Sequence, residues 1–491
     1  MNRRDCVRNT ALVSAGAALT QAGAFGDVSE PPLAVRLSVG QPGKTIAQDF
    51  TGLSYESAQL SDPGFFSGAN TRLIGMMRGL GKEGVLRIGG NTSEYCFWAP
   101  EATAAEQAAM TGQGPMGPDP GHKPAVDRRI TPLAVRNLRD FVYATGWKLI
   151  YGLNMGKGTA ADAAAEASYV LHTIGPEKLI GFQLCNEPDL FARNGIRKAD
   201  YNAQQFNEEW KQFYDAIKAR EPLAPFAGPD TAYGQQWLVP FASRFKSDVK
   251  FLSSHYYAEG PPTDPAMTIE RLFTNPGLEA QLAGMQQVLS QTGLPFRLAE
   301  TNSCYAAGKQ GVSDTFAAAL WSADLMYQVA RAGGMGINFH GGGYGWYTPI
   351  AGTPEHGFVA RPVYYGMLLF AEAGAGRLLE VTLDAGEALT PAALSAYAVQ
   401  AGSGATRILL FNKQAARGVR VSLNAGRRTE RATALRLYAP RLEDTVDVTL
   451  GASQVSSAGA WQAAVRDKLA IADGQAVIDL PPGSAALVEC S

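Results

Sequence analysis

The chain has 491 residues, 46% of them apolar and only 18% charged, with a formal net charge of −2. That length suits a barrel plus one further domain. The near-neutral balance excludes a nucleic-acid binder and weighs against polysulfated partners, both of which call for a basic face.

Arg3 and Arg4 make a twin-arginine start, an apolar stretch follows over 11–19, and Ala22-Gly23-Ala24 forms a small-residue cleavage site. Residues 1–26 are therefore expected to be an export signal, using the twin-arginine route to the periplasm or the outside. No later stretch reaches about 18 uninterrupted apolar residues, so no membrane anchor is expected. Cys96, Cys185, Cys304 and Cys490 have neither metal-type nor CxxC spacing, and burial as small apolar residues is expected.

Residues 27–47, strand-like over 32–39, precede the main series of elements. A strand is predicted over 48–56 with a helix over 70–80, then a short strand over 84–89. A Gly/Pro-rich insertion covers 99–131, followed by a helix over 132–145. Strand and helix then alternate as 148–154 with 162–174, 179–187 with 202–220, 226–230 with 235–245, 250–257 with 278–292, and 296–302 with 313–332. A last strand is predicted over 336–341. Short apolar runs give way each time to 3.6-residue spacing. Eight such strands in one run predict an α/β chain in which residues 48–370 form a (β/α)8 TIM barrel. No glycine-rich nucleotide fingerprint follows the first strand, which disfavours an open doubly wound sheet. Beyond 370, β-type runs over 407–411, 419–423, 432–438, 446–450, 476–480 and 485–489 are separated by turn residues. They predict a β-sandwich over 371–491, with 27–47 supplying it an N-terminal strand.

Active residues of such a barrel project from the C-terminal ends of its strands. Those ends carry Glu56, Gly90-Asn91, Asn154, Asn186-Glu187, Asp230, His255-Tyr256-Tyr257, Glu300 and His340. An apolar strand delivers Asn186-Glu187 directly before Pro188, and proline is expected to hold Glu187 extended. Glu300 ends a second apolar strand. Two carboxylates across a barrel mouth suit glycoside cleavage: one stays protonated as the acid, the other stays ionised as the nucleophile. Arg87 is expected to point into the barrel beneath them, either orienting Glu300 or forming a structural pair. His255 and His340, lacking a compact carboxylate cluster, read as strand-end residues, and neither a catalytic metal nor a cofactor is expected.

Asn186-Glu187-Pro188 on the fourth strand and Glu300 on the seventh resemble the retaining barrel glycosidase clan. Leu86-Arg-Ile-Gly-Gly-Asn91, Tyr151-Gly-Leu-Asn154, Asn186-Glu-Pro-Asp189 and Ser254-His-Tyr-Tyr257 resemble glycoside hydrolase family 79, which contains β-glucuronidases and heparanases. The resemblance covers the whole barrel. It implies Glu187 as general acid/base, Glu300 as nucleophile and Asn186 as partner of the sugar 2-hydroxyl. It implies Glu56 as a grip on ring hydroxyls and Tyr256 as the tyrosine contacting the nucleophile. It also implies that Tyr305 and Tyr347 bind the glucuronate carboxylate, with Gly90 and Asn91 lining that subsite; heparanases carry a threonine about where Asn91 stands. Phenol hydroxyls and backbone N–H groups near Gly341–Gly343 can accept an acidic sugar without a full salt bridge. The alternative for Tyr344, Trp346 and Tyr347 is stacking on a neutral sugar or packing at the rim.

The leading expectation is a retaining exo-β-glucuronidase acting on glucuronic acid-containing saccharides. An endo-acting heparanase-like enzyme would need an open cleft lined with basic residues, and Lys123 and Lys157 are the few near the mouth. Arabinofuranose or xylose in place of glucuronate would keep the mechanism. A non-catalytic carbohydrate-binding protein on a dead barrel would be expected to have lost one glutamate, and both are present.

Overall fold

The computed structural model describes residues 31–109, 128–233, 235–386, 389–424, 429–472 and 474–491. The export-signal reading over 1–26, Lys123 and most of the 99–131 insertion lie outside these residues.

Eight parallel strands form the barrel: β1 (Thr51–Glu56), β2 (Val85–Gly89), β3 (Lys148–Gly152), β4 (Leu179–Gln183), β5 (Ala227–Thr231), β6 (Phe251–Glu259), β7 (Phe296–Cys304) and β8 (Gly336–Gly341). Their hydrogen-bonded order is β4-β3-β2-β1-β8-β7-β6-β5. The remaining seam between β4 and β5 is nearly closed by a bridge between Phe182 and Phe226 and by Phe182 N–H donating to Pro225 O at 2.9 Å. Local chemistry sets the helices between them. Thr131 caps Pro132–Thr145 with proline in the first turn, and Gly146 ends it in the left-handed region at φ 83°. Asn202 and Gln205 form a reciprocal capping box on Ala203–Arg220. Trp147, Trp210 and Trp321 are fully buried between barrel and helices. The helix after β8, Pro362–Ala373, is apolar on nearly every side because it lies between the barrel and the second domain.

The C-terminal runs do not form two separate sheets. Together with Leu33–Ile46, Gly376–Asp384 and Leu394–Gln400 they make one 11-stranded sheet, curled around a core that includes Val35, Leu37, Ile408, Val421, Ile478 and Val488. The physical reason is Leu33–Ile46. It pairs antiparallel with Gly376–Asp384 on one side and parallel with Val419–Asn424 on the other, joining what would otherwise be two sheet edges. The sheet's other face packs against the barrel helices. At that joint Asp324 of helix Phe316–Ala332 accepts from Ser395 Oγ, Tyr397 OH and Lys413 Nζ, each at 2.7 Å. A buried carboxylate with this many donors is satisfied rather than stranded. No helix among the described residues is long and apolar enough to cross a membrane. Cys96, Cys185, Cys304 and Cys490 are buried and unpaired.

Candidate active site

The C-terminal mouth of the barrel is built around Arg87 of β2, whose side chain has no solvent exposure. Its Nη1 donates to Glu300 Oε2 at 2.6 Å and to Ser54 Oγ at 3.2 Å. Its Nη2 donates to Asn186 Oδ1 at 2.8 Å and to Asp230 Oδ2 at 2.5 Å, and its Nε to Gln183 Oε1 at 2.9 Å. One guanidinium therefore reaches side chains of β1, β4, β5 and β7 and of the turn after β4. Burial would lower its proton affinity, but Asp230 and Glu300 more than offset that and raise it.

Three acidic groups reach this cluster through irregular backbone. Glu187 does not continue the strand in extended form, as expected from the proline that follows. It takes the left-handed conformation, φ 50° and ψ 56°, fixed by its N–H donating to Asp230 O at 2.9 Å. Asp230 also has a positive φ, 65°, and the β5–β6 register shifts between Pro229 and Thr231. The β6–β7 register shifts between Leu298 and Glu300. Such irregularities re-aim a side chain that a regular strand would point elsewhere.

Glu187 and Glu300 come together. One oxygen of each carboxylate and a ring nitrogen of His255 all lie within 4.8 Å of one another. Their proton affinities are driven apart. Burial raises Glu187, and the hydrogen bond and charge of His255 only partly counter it. Burial would also raise Glu300, but His340, His255, Arg87 and the Tyr257 hydroxyl overcome it and hold it well below the ordinary carboxylate range. His255 Nδ1 is 3.0 Å from Glu187 Oε1, and its Nε2 is 3.2 Å from Asp230 Oδ2, an ion pair lying off the hydrogen-bond axis. Burial lowers the imidazole, but Asp230, Glu300 and Glu187 push it up to about 10. An imidazolium has no lone pair for a metal. A proton held there competes with any cation for the ring nitrogen that His255 brings to Glu187 and Glu300.

The residues around this pair divide. Asn186 Nδ2 donates to Asn91 Oδ1 at 3.2 Å. Glu56 Oε2 accepts from Thr92 N at 2.8 Å and Thr92 Oγ1 at 2.6 Å, and its Oε1 lies 3.5 Å from His340 Nε2. Gly90, at φ 72°, leaves room for Glu56: a Cβ there would stand 2.5 Å from its carboxyl. Tyr347 is buried beside His340 and Tyr257, with ring centroids 6.0 and 6.2 Å away, and half-buried Tyr305 meets Tyr257 edge-on at 6.5 Å. Tyr344 is exposed at the rim.

The Tyr256 hydroxyl does not meet Glu300. It turns outward to Asn275 Oδ1 and Pro276 O, both at 2.9 Å. The tyrosine touching Glu300 is Tyr257, whose hydroxyl donates to Oε1 at 2.7 Å. Side chains alternate along a strand, so Tyr257 shares a face with His255 and Tyr256 does not. That alternation was the signal available in the sequence. Asp230 and His255, read there as rim or strand-end groups, are central to the cluster. Asn154 instead braces its own loop, accepting from Lys157 N and Gly158 N and donating to Cys96 O, each at 2.9 Å. Lys157 lies over the Tyr95 ring at 4.0 Å.

No family model matches the chain. A beta-glucuronidase of Aspergillus niger is 26% identical over 368 residues, 68% of this chain and 65% of that protein, so the match spans a little under two thirds of its length. A beta-glucuronidase of Neurospora crassa is 26% identical over 448 residues, 80% of this chain and 77% of that one. Among solved structures, a 4-O-alpha-L-rhamnosyl-beta-D-glucuronidase from Fusarium oxysporum 12S superposes with a TM-score of 0.71 at 19% identity. It covers 93% of this chain and 100% of that one. A GH51 arabinofuranosidase from Xanthomonas axonopodis pv. citri gives 0.65 at 15% identity, covering 94% and 100%. In sequence the chain is similar to β-glucuronidases and in fold to TIM-barrel glycosidases, which together support a glycoside hydrolase.

Proposed function

We propose that the protein is a retaining exo-β-glucuronidase that releases terminal β-linked glucuronic acid from glycans or glycoconjugates by double displacement. The observation that carries this reading is the buried Glu187–Glu300 pair, with oxygens within 4.8 Å and proton affinities pushed in opposite directions. Retaining pairs stand about 5–5.5 Å apart, whereas inverting pairs need about 6.5–9.5 Å to admit a water.

Glu187 donates its proton to the glycosidic oxygen as the bond to the anomeric carbon breaks. Glu300 forms a new bond to that carbon from the opposite face, held in aim by Arg87 and Tyr257. Water, deprotonated by Glu187, then displaces Glu300 and restores the β configuration. Asn186 offers its amide to the sugar 2-hydroxyl, and Glu56 its carboxylate to the other ring hydroxyls. The preference for glucuronate draws on the two similar glucuronidases and on Tyr305, Tyr347 and the Gly90-Asn91 turn around the pair. Exo action draws on the net charge of −2, which does not suit the basic cleft that a sulfated chain would need. Export through the Arg3-Arg4 signal belongs to the same proposal, and N-terminal sequencing of the secreted protein checks it.

A panel of nitrophenyl glycosides tests the function. Cleavage of the β-glucuronide, with β-glucuronic acid as the first product by proton NMR, is expected. Release of the α anomer would contradict retention. Cleavage of the arabinofuranoside instead would contradict the sugar, and depolymerisation of heparan sulfate without cleavage of the glucuronide would contradict exo action.

A further inference from the structure

Glu94 is a fully buried carboxyl that the mechanism above does not use. It lies on the short turn Asn91–Tyr95 after β2, the turn that also carries Asn91 and Thr92. Its Oε1 accepts the Asn186 N–H at 2.8 Å, and its Oε2 accepts the Gly156 N–H at 2.5 Å. Ser93 Oγ adds a longer contact at 3.4 Å. Residue 156 has to be small for this: a Cβ there would stand 2.6 Å from Glu94 Oε2. The same loop is held from its other side by Arg197, which donates to Gly156 O at 2.6 Å and Met155 O at 3.1 Å and is itself paired with Glu209.

We propose that Glu94 is a positioning residue: by holding the Asn186 N–H it fixes the Asn186-Glu187 peptide, and so the aim of the acid, while tying the turns after β2, β3 and β4 into one wall. The inference rests on the glycosidase reading of Glu187. A buried carboxyl is costly to keep, and burial pushes Glu94 up to about 7 despite its backbone donors. A glutamine there has a single acceptor oxygen, and its amide would face one of the two N–H groups, leaving it unmatched. If Asn186 N–H is released, Glu187 loses its aim without being chemically altered.

The test separates this role from simple loop bracing. Wild type, Glu94→Gln and the control Glu166→Gln are compared on aryl β-glucuronides whose phenols range from strongly to weakly acidic. Glu166 is a second fully buried carboxyl, but it pairs with Tyr151 away from the mouth. A weakly acidic phenol needs the proton from Glu187, whereas a strongly acidic one leaves without it. Glu94→Gln is expected to lower kcat/KM about 10–100-fold for the former and less than about threefold for the latter, with Glu166→Gln flat across the series. An equal loss across the series in folded Glu94→Gln, or no loss, overturns the proposal. Should that variant not fold, Gly156→Ala, which presses on the same carboxyl, must show the same slope, and a uniform loss from it overturns the proposal. Wild type inactive on glucuronides but active on another aryl glycoside would fail the sugar assignment alone, and the series is then run on that glycoside. Inactivity on every aryl glycoside would overturn both.

Discussion

Two arginines lie fully buried in the barrel, one toward each end, and their surroundings differ in kind. Arg87, at the mouth, faces the carboxylates of Asp230 and Glu300 and is held more firmly charged than a free arginine. Arg297, near the floor, donates to Asn338 Oδ1 at 2.6 Å, Asp49 O at 3.2 Å and Phe50 O at 3.1 Å. Neutral oxygens accept from its N–H groups, and burial pulls its proton affinity down, with the Asp49 charge only partly countering it. The floor spends its arginine on closing the barrel. At the mouth, Arg87 helps to hold Glu300 ionised beside Glu187, whose proton affinity burial raises. Buried charge alone therefore does not mark a site; charge arranged to separate the acidities of two neighbours does.

The contrast is broken most sharply by replacing each arginine with methionine. Arg87→Met takes the guanidinium away from two buried carboxylates, Asp230 and Glu300, and is expected to cut kcat/KM on the order of a thousand-fold, with a clear fall in melting temperature. Arg297→Met is expected to lower the melting temperature while the folded protein keeps kcat/KM within about threefold of wild type, the range for a residue that touches no reacting group. Parallel losses of activity in the two variants, measured on protein of verified fold, would erase the distinction.

The adjacent tyrosines sharpen it next. Tyr257→Phe removes a hydrogen bond to Glu300, the proposed nucleophile, and should cost about 10–100-fold in kcat. Tyr256→Phe should cost only stability, because its hydroxyl bonds to Asn275 and Pro276. A larger kinetic effect at Tyr256 would restore the expectation drawn from family resemblance.

The pH profile comes third. The proposed mechanism needs Glu300 ionised and Glu187 protonated, so the acid limb is expected to fall below, and the alkaline limb above, the ordinary carboxylate range. The His255 imidazolium lowers both groups. His255→Gln is expected to move both limbs of kcat/KM upward, the alkaline one by about one unit. A downward shift, or none, would show that His255 is neutral in the working enzyme.

The smallest effect concerns a buried carboxyl outside the mouth. Burial raises Glu166 to about 7 against an ordinary 4.5, with the Tyr151 hydroxyl only partly countering it. A group raised in the folded state contributes stability fully below about pH 4.5 and loses it as pH rises through about 7, here about 3 kcal/mol. Glu166→Gln keeps an acceptor for Tyr151. It should match wild type at pH 4.5, be more stable at pH 8.5 by denaturant unfolding, and leave kcat unchanged. Equal stability at both values would mean that Glu166 titrates normally.

The barrel was legible because each strand and helix announces itself locally, in apolar runs of strand length that give way to helical spacing. The two catalytic candidates were legible because the barrel delivers strand ends to one mouth. What sequence did not yield depends on partners far away in the chain. Glu187 is left-handed because its N–H bonds to Asp230 O. The β6–β7 register slips beside Glu300, and no local pattern encodes a slip. Tyr257 was passed over for Tyr256 although strand alternation with His255 favoured it. Glu94 went unseen because it sits on a turn, and only the fold brings Asn186 and Gly156 to it. The curled sheet followed from a 14-residue strand, Leu33–Ile46, bonded on both edges.

The central assignment is tested most directly by trapping the covalent intermediate. A 2-fluoro-glucuronide with a good leaving group slows the second displacement more than the first, so the sugar accumulates on the nucleophile. Peptide mass spectrometry is expected to find one sugar per chain, on the peptide bearing Glu300, with no label in Glu300→Gln. A label on Glu187, or steady turnover of the reagent with no label on any carboxylate, would contradict the account.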